Sequence, residues 1–300
     1  MRILLLGANG QVGTELRRSL APLGEVVAAT RDGRLANGGN CEVADLDEPR
    51  SLDALVERIA PDVVVNASAY TAVDRAESER DAAFRANAEA PAALADACVA
   101  HGTLLVHYST DYVFNGRGTR PYREDDPTAP LGVYGASKLA GEEAIRASGC
   151  RHAILRTAWV YAAHGHNFLR TMLRLGRERD SLRVVADQVG TPTPAWLIAD
   201  VTTQLLSRPD AVSGTWHLTA TGQTSWHGFA EAIFAAAVER GLLPSAPHVE
   251  PIATADYPTP AQRPGYSVLD TRRLRETLGI ELPEWEKGLR CVLGDAALLG

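Results

Sequence analysis

Tyr134 and Lys138 stand four residues apart in Val133-Tyr-Gly-Ala-Ser-Lys-Leu-Ala-Gly-Glu142, a stretch of helix-forming sequence. At that spacing both side chains lie on one helix face. A phenol titrates near pH ~10 in isolation, and a nearby positive charge favours its ionised form. Lowering that pKa by ~3 units takes roughly 4 kcal/mol. A unit charge ~4 Å away at an effective dielectric of ~20 supplies about that much. With Lys138 as the charge, Tyr134 becomes a candidate proton donor to a carbonyl oxygen. Alone, Tyr-x-x-x-Lys more often describes an aromatic packed beside a solvated lysine, so the residues upstream carry weight. Thr110, in Ser109-Thr-Asp-Tyr-Val-Phe114, supplies a hydroxyl just past the apolar run Thr103–Tyr108. Thr110 can donate a hydrogen bond to a substrate ketone, Tyr134 can protonate it, and Lys138 can hold both the phenol and a nicotinamide ribose. Hydride would come from the dinucleotide.

The elements that must position these groups begin at the N-terminus. Arg2-Ile-Leu-Leu-Leu6 is a continuous apolar run, the pattern of a parallel strand buried on both faces. It leads into Gly7-Ala-Asn9-Gly10-Gln11-Val12-Gly13, and Thr14–Leu20 reads as helix. Strand, glycine turn and helix let a backbone approach a pyrophosphate seated on the free amides of the helix N-terminus. The spacing is G-x-x-G-x-x-G, the form associated with short-chain dehydrogenases; a tight turn with no ligand is the alternative. Glu25–Thr30 is the second strand. Where a site for NAD usually places an acidic residue, this chain has Thr30-Arg31, and an arginine can pair with a 2′-phosphate. That favours NADPH, with NADH as the alternative, because Asp32 could serve the ribose instead or pair with Arg31. Asp45, with Leu46 after a short strand, could meet the adenine edge or cap the next helix, Asp47 being the other capping candidate.

Further strands are expected at Asp62–Asn66, Thr103–Tyr108, His152–Arg156 and Leu182–Val185. Helices are expected at 49–60, 81–87, 89–100, 167–175, 195–207, 270–278 and 285–293. The alternation implies an α/β fold with a doubly wound parallel sheet. Ala67, Ser68, Ala69 and Tyr70 follow a strand's carboxyl end, where small residues permit close approach by the cofactor's ribose and nicotinamide. Pro244 to Pro264 holds six prolines in twenty-one residues and reads as an ordered loop with little regular structure. Residues 1–160 are expected to form the dinucleotide-binding domain, with 192–218 returning to it. A smaller substrate lobe would combine 161–191 and 219–300, leaving the active cleft between the two.

A chain of 300 residues, 45% hydrophobic and 22% charged, is large enough for a substantial core. Its apolar runs fall short of the ~20 residues of a membrane span, and the first one meets Gly7 too early for a signal-peptide core. A cytoplasmic protein is the resulting expectation. Cys41, Cys98, Cys150 and Cys291 are far apart and suggest neither a disulfide framework nor a zinc site; they read as reduced, mostly buried thiols. A net charge of -7, with both signs interspersed, argues against nucleic-acid or membrane-surface binding.

Taken in order, the glycine turn, Pro61–Asp74, Ser109–Gly116, Val133–Glu142 and Leu155-Arg-Thr-Ala-Trp-Val-Tyr161 closely resemble dTDP-4-dehydrorhamnose reductases. The likeness continues through Asp187–Thr193, Trp216-His-Leu218 and Thr259–Pro264, and so covers essentially the whole chain. The resemblance implies an NADPH-dependent reductase that converts dTDP-6-deoxy-L-lyxo-4-hexulose to dTDP-L-rhamnose. It also implies a position near the cofactor for Asn87, for which an interhelix hydrogen bond is an equal reading. Asp111 and Tyr112 join Thr110 as substrate-binding candidates. Trp159, just past a strand end, could pack against a deoxysugar face or serve the core. Arg263 could clamp the substrate diphosphate or form a surface ion pair.

Nucleotide-sugar 4,6-dehydratases resemble this chain but carry Thr-Asp-Glu where it has Thr110-Asp111-Tyr112, so elimination lacks its base. Other reductases or epimerases of the superfamily, and a non-catalytic NADP-binding regulatory subunit, are the remaining alternatives. Some family members resemble dimers joined by a magnesium ion on glutamates. Glu15 is present here, but Trp196 occupies a ligand position and a third could only be Asp295. Trp196 offers no oxygen to a hard cation. No metal is therefore expected, Glu15 is expected in the first turn of its helix facing solvent, and the assembly is expected to be a monomer or a metal-independent homodimer.

Overall fold

The computed structural model describes residues 1–208 and 213–295. Seven strands form one parallel sheet: β1 Arg2–Leu6, β2 Glu25–Thr30, β3 Glu42–Val43, β4 Val63–Asn66, β5 Leu104–Thr110, β6 His152–Thr157 and β7 Gly214–His217, in the order β7-β6-β5-β4-β1-β2-β3. From β1 the chain winds one way to β2 and β3 and then back the other way through β4, which makes the gap between β1 and β4 the switch point where such sheets bind ligands. The register aligns Leu6 with Asn66, Asn66 with His107, and Thr110 with Thr157, so the carboxyl ends of β1, β4, β5 and β6 share one edge.

The apolar runs are continuous because each strand is covered on both sides. Ile3, Leu5, Val63, Val65 and Val106 face one hydrophobic cluster, while Leu4, Leu6, Val64, Leu105 and Ile154 face a second. The first cluster extends into the later half of the chain through Phe229, Trp285 and Leu289, so one core joins the sheet to the segments beyond it. Cys98 and Cys150 are buried, Cys41 is half-buried and Cys291 exposed, all as free thiols.

Several elements differ from the sequence expectation. His248–Ile252 is a strand pairing in parallel with Ser181–Val185, inside the proline-rich stretch read as irregular. A two-stranded ribbon tolerates Pro251 because its missing N–H can lie on an unpaired edge. The Trp226–Glu239 helix was not anticipated; Ser225 Oγ accepts from the Gly228 amide and caps it. Neither Asp45 nor Asp47 caps the Ser51–Ile59 helix, which starts after Arg50 without a side-chain cap. Asp45 instead accepts the Asp47 amide at 3.0 Å, closing its own local turn. The helix expected from residue 270 begins at Arg272, with Asp270 Oδ1 accepting the Arg272 amide outside it.

Candidate active site

Three elements meet at the carboxyl edge of the sheet. The first is the glycine turn between β1 and the Gln11–Ser19 helix. Gly7 has φ +77°, and a Cβ there would lie 2.7 Å from the Ala67 backbone, so the turn runs against the end of β4. A Cβ on Gly13 would overlap the Gly7 carbonyl, which is how the helix packs so close to the strand. Gly10 precedes the helix in extended conformation with no side-chain cap, leaving the first helical amides open to an anion. This cradle fits a dinucleotide pyrophosphate.

Around it, the other cofactor candidates divide. Asn9 donates to the Arg34 carbonyl at 2.9 Å and accepts from the Ala36 amide at 2.9 Å, so both ends of its amide pin the loop after β2. Gln11 accepts from Asn167 at 2.8 Å, tying the glycine turn to the Phe168–Glu178 helix. Val12 is half-buried against the first core cluster, and Leu46 is buried in the second, so that side chain faces the core. Thr30 donates to Asp32 and accepts from the Arg34 amide. Arg31 does not pair with Asp32; it reaches Asp45 at 3.6 Å and Asp47 at 3.9 Å, with 72% of its side chain exposed. Ala67, Ser68, Ala69 and Tyr70 follow β4 along the same edge and are all half-buried. Asn87, in a single π-helical turn Arg85–Glu89, accepts from the Tyr70 amide and donates to the Tyr70 carbonyl and to Ser137 Oγ. It thereby fastens the loop after β4 to the helix that carries Ser137, Tyr134 and Lys138, which is the interhelix reading.

That helix, Val133–Ser148, is the second element, and the turn after β5 is the third. Thr110 ends β5, accepts from the Tyr112 amide at 3.2 Å, and gives its own proton to Asp111 Oδ1 at 3.0 Å. Its hydroxyl lies on the side of the Tyr134 phenol and opposes the rise in that phenol's pKa. The rings of Tyr112 and Tyr134 meet edge to face with centroids 5.6 Å apart. Burial pushes the Tyr134 phenol upward, opposed by Thr110 and reinforced by Asp111. This corrects the expectation that Lys138 lowers it. Lys138 Nζ donates instead to the Tyr108 carbonyl at 2.6 Å and lies 3.3 Å from His107 Nε2, so its charge is spent on the β5 backbone. Burial brings Lys138 down to about 8, against the attraction of Glu142. Asp111 is buried with Oδ2 unpaired, and desolvation raises its carboxyl to about 6, opposed by Ser267 and by the hydrogen bond from Thr110.

Beside Tyr112 opens a cleft of about 840 Å³, lined among others by Phe168, Arg179, Arg183, Trp226 and Arg263. Arg263 is held by Asp74 at 2.7 Å and contacts the Tyr112 hydroxyl at 3.4 Å, so it belongs to the cleft wall and not to an outer surface pair. Trp159 has φ +48°, a strained conformation for a bulky residue. Its indole stacks on Trp226 at 3.6 Å with 7° between planes. Glu15 is not in the first turn facing solvent: it lies deeper in its helix, paired with Arg18 at 3.0 Å and His164 at 3.1 Å. Among the described residues no three His, Cys, Asp or Glu side chains gather as a metal would require. Sequence reasoning missed His107, Trp226 and the cleft arginines 179 and 183. Only His107 left a signal, a histidine interrupting a strand otherwise buried and apolar up to its end.

The chain matches the family described as the RmlD substrate binding domain over residues 1–297. It is 52% identical to a dTDP-4-dehydrorhamnose reductase of Burkholderia thailandensis, covering 95% of each chain. With the Salmonella typhimurium protein of that name the identity is 45%, over 98% of this chain and 97% of the other. A solved dTDP-4-dehydrorhamnose reductase from Bacillus anthracis, in complex with NADP, superposes with a TM-score of 0.88 at 35% identity, over 97% of this chain and 98% of that one. An open dinucleotide cradle on a sheet of this order agrees with that likeness, and the chain belongs to the dTDP-4-dehydrorhamnose reductase family.

Proposed function

We propose that this enzyme reduces the 4-keto group of dTDP-6-deoxy-L-lyxo-4-hexulose with NADPH, yielding dTDP-L-rhamnose. The observation that carries the reading is the Tyr134 ring packed edge to face on Tyr112, next to Thr110 at the sheet edge, with the open helix N-terminus and the arginine-lined cleft, which Tyr112 also lines, on the same molecule. When bound, the dinucleotide supplies hydride. Gly7, Gly10 and Gly13 make room for its pyrophosphate, Arg31 offers a partner for a 2′-phosphate, and Ala67–Tyr70 line its approach to the carbonyl. Lys138 would hold the nicotinamide ribose through an N–H other than the one given to the Tyr108 carbonyl.

Tyr134 gives its proton to the substrate oxygen. Because burial holds the phenol protonated at neutral pH, the donor is loaded before reaction. Thr110 assists by a hydrogen bond to the same oxygen, which requires its proton to turn away from Asp111. In the cleft, Arg263 with Arg179 and Arg183 provides the charge for a diphosphate, and Phe168 and Trp226 provide flat apolar surface for base and sugar. Trp159 acts on the sugar through its stack with Trp226. Residues 161–191 and 219–300 form the substrate lobe in this reading, against a dinucleotide domain of 1–160 joined by 192–218. The enzyme is a cytoplasmic one, since its reductant and activated sugar are soluble metabolites, and it works as a monomer or a metal-independent homodimer without nucleic-acid or membrane partners.

NADPH oxidation by the purified chain, followed by absorbance with a panel of dTDP-, UDP- and GDP-linked 4-keto sugars, tests the proposal. Turnover is expected with the dTDP-linked 4-keto-6-deoxyhexose. Consumption of no NADPH with any of them would overturn the reading in favour of a cofactor-binding subunit.

A further inference from the structure

Lys138 shares its buried pocket with a histidine whose hydrogen bonds are fixed from behind. Asn66, at the end of β4, accepts the Ser68 backbone amide at 3.1 Å. A backbone N–H can only donate, so the atom it meets is the Asn66 oxygen, and the Asn66 amide nitrogen is the one that faces His107 Nδ1 at 3.1 Å. That nitrogen in turn can only donate. His107 Nδ1 must therefore be a lone pair, and in the neutral ring the proton sits on Nε2. Nε2 is the atom 3.3 Å from Lys138 Nζ.

We infer that His107 is a positioning residue for Lys138, locked by Asn66 in the tautomer that presents an N–H, and not a lone pair, to the lysine. A neutral amine satisfies this arrangement: one N–H goes to the Tyr108 carbonyl and the nitrogen lone pair accepts from His107. An ammonium would set N–H against N–H. The pair thus weakens Lys138's hold on its third proton, so that the lysine titrates within the working range of the enzyme. Both His107 and Lys138 are buried, and burial keeps the ring neutral. The lysine's own lowering to about 8 has the same direction. Glu142, on the same helix, favours the ammonium but is itself engaged by Arg156 of β6 at 2.8 and 2.7 Å and by Arg146 at 3.0 Å. Tyr134 and Asp111 meet at the strand end beyond, with Asp111 bonded to Thr110. Asn66, from β4, is uncharged.

This inference rests on the reading that Lys138 serves the nicotinamide ribose, and its first test is independent of turnover. In the intact, histidine-labelled protein without substrate, nitrogen NMR should find His107 protonated on Nε2 and bare on Nδ1 between about pH 6 and 8. A proton on Nδ1 would overturn the inference. The second test inverts the lock. In Asn66→Asp the carboxylate accepts from Nδ1–H, which turns a lone pair toward Lys138 and favours its ammonium. The alkaline limb of the kcat profile, set by loss of the Lys138 proton, should then move up by at least ~1 pH unit, with KM for the sugar nucleotide little changed. An unmoved limb in a folded variant would overturn the inference. Should that variant fail to fold, the wild-type NMR measurement still decides. Absence of NADPH oxidation with every sugar nucleotide would sink the functional reading while leaving the tautomer result to stand.

Discussion

Tyr134 and Asp111 are both held more protonated than in water, and in each case desolvation is the largest cause. Tyr134→Phe deletes the proton donor and touches no phosphate or ribose contact. It should remove most turnover while leaving NADPH affinity, measured by fluorescence titration, nearly unchanged; near-normal kcat would refute the assignment. For Asp111 the consequence is in stability. Its folded-state pKa of about 6 exceeds the ordinary carboxylate value near ~3.9, so the folded protein holds this proton more tightly than the unfolded chain. The associated stabilisation is complete below the unfolded value and is lost as pH rises through about 6. Asp111→Asn should therefore raise stability at pH 7 by up to about 3 kcal/mol and flatten its dependence between about pH 4 and 6. Urea unfolding across that range measures both, and no gain at pH 7 would count against the buried, unpaired carboxylate. That Tyr134 and Lys138 share one helix and that Thr110 ends a strand was legible, the first from the four-residue spacing and the second from the apolar run before it. The lysine's direction was not, since a four-residue repeat says nothing of a carbonyl such as that of Tyr108, thirty positions away in sequence.

Elements were legible where one local rule decided them. β1, β4 and β5 read from their apolar runs, and the glycine turn from its spacing. The Gly13 contact shows how tightly that turn is built, because the obstacle is the backbone carbonyl of Gly7 and no side chain can rotate aside. Gly13→Ala should destabilise the protein by about 3 kcal/mol, the upper part of the usual range for overpacking. A denaturation midpoint unchanged from wild type would show that helix and strand can part at no cost. The end of β2 was harder to read. Arg31 proved exposed and shared loosely between Asp45 and Asp47, while Asp32 turned to Thr30 and Arg34. Arg31→Ala should raise KM for NADPH roughly 10- to 150-fold, the equivalent of about 1.5 to 3 kcal/mol for a charge-assisted contact, and leave KM for NADH near its wild-type value. Equal use of both dinucleotides by the wild type would remove Arg31 from the choice. The His248–Ile252 strand escaped detection because its pairing with Ser181–Val185 is a long-range fact, and proline content argued locally against it.

Across the whole molecule, the first helix is tied to the later part of the chain by side chains and not only by the shared core. Gln11 meets Asn167, and Glu15 meets His164. Glu15 also faces a hollow of about 370 Å³ that it shares with Arg18, Trp196, Cys291 and Asp295. Two features oppose a hard cation there. Glu15 is already paired with Arg18 and His164, leaving 15% of its side chain exposed, and Trp196 contributes an indole whose buried Nε1 has no hydrogen-bond partner. A divalent ion would have to displace the arginine and histidine while gaining fewer oxygen ligands than the six or more that calcium or magnesium ordinarily takes. Any association of two copies through this face would therefore rest on apolar and hydrogen-bonding contacts, the half-buried Trp196 ring serving the apolar ones. Sedimentation velocity of the purified enzyme, with and without EDTA, should give the same species, and NADPH oxidation should be insensitive to the chelator. A dimer that falls apart when divalent cations are withdrawn, and re-forms when magnesium returns, would reverse this prediction and assign Glu15 to metal in spite of its present partners.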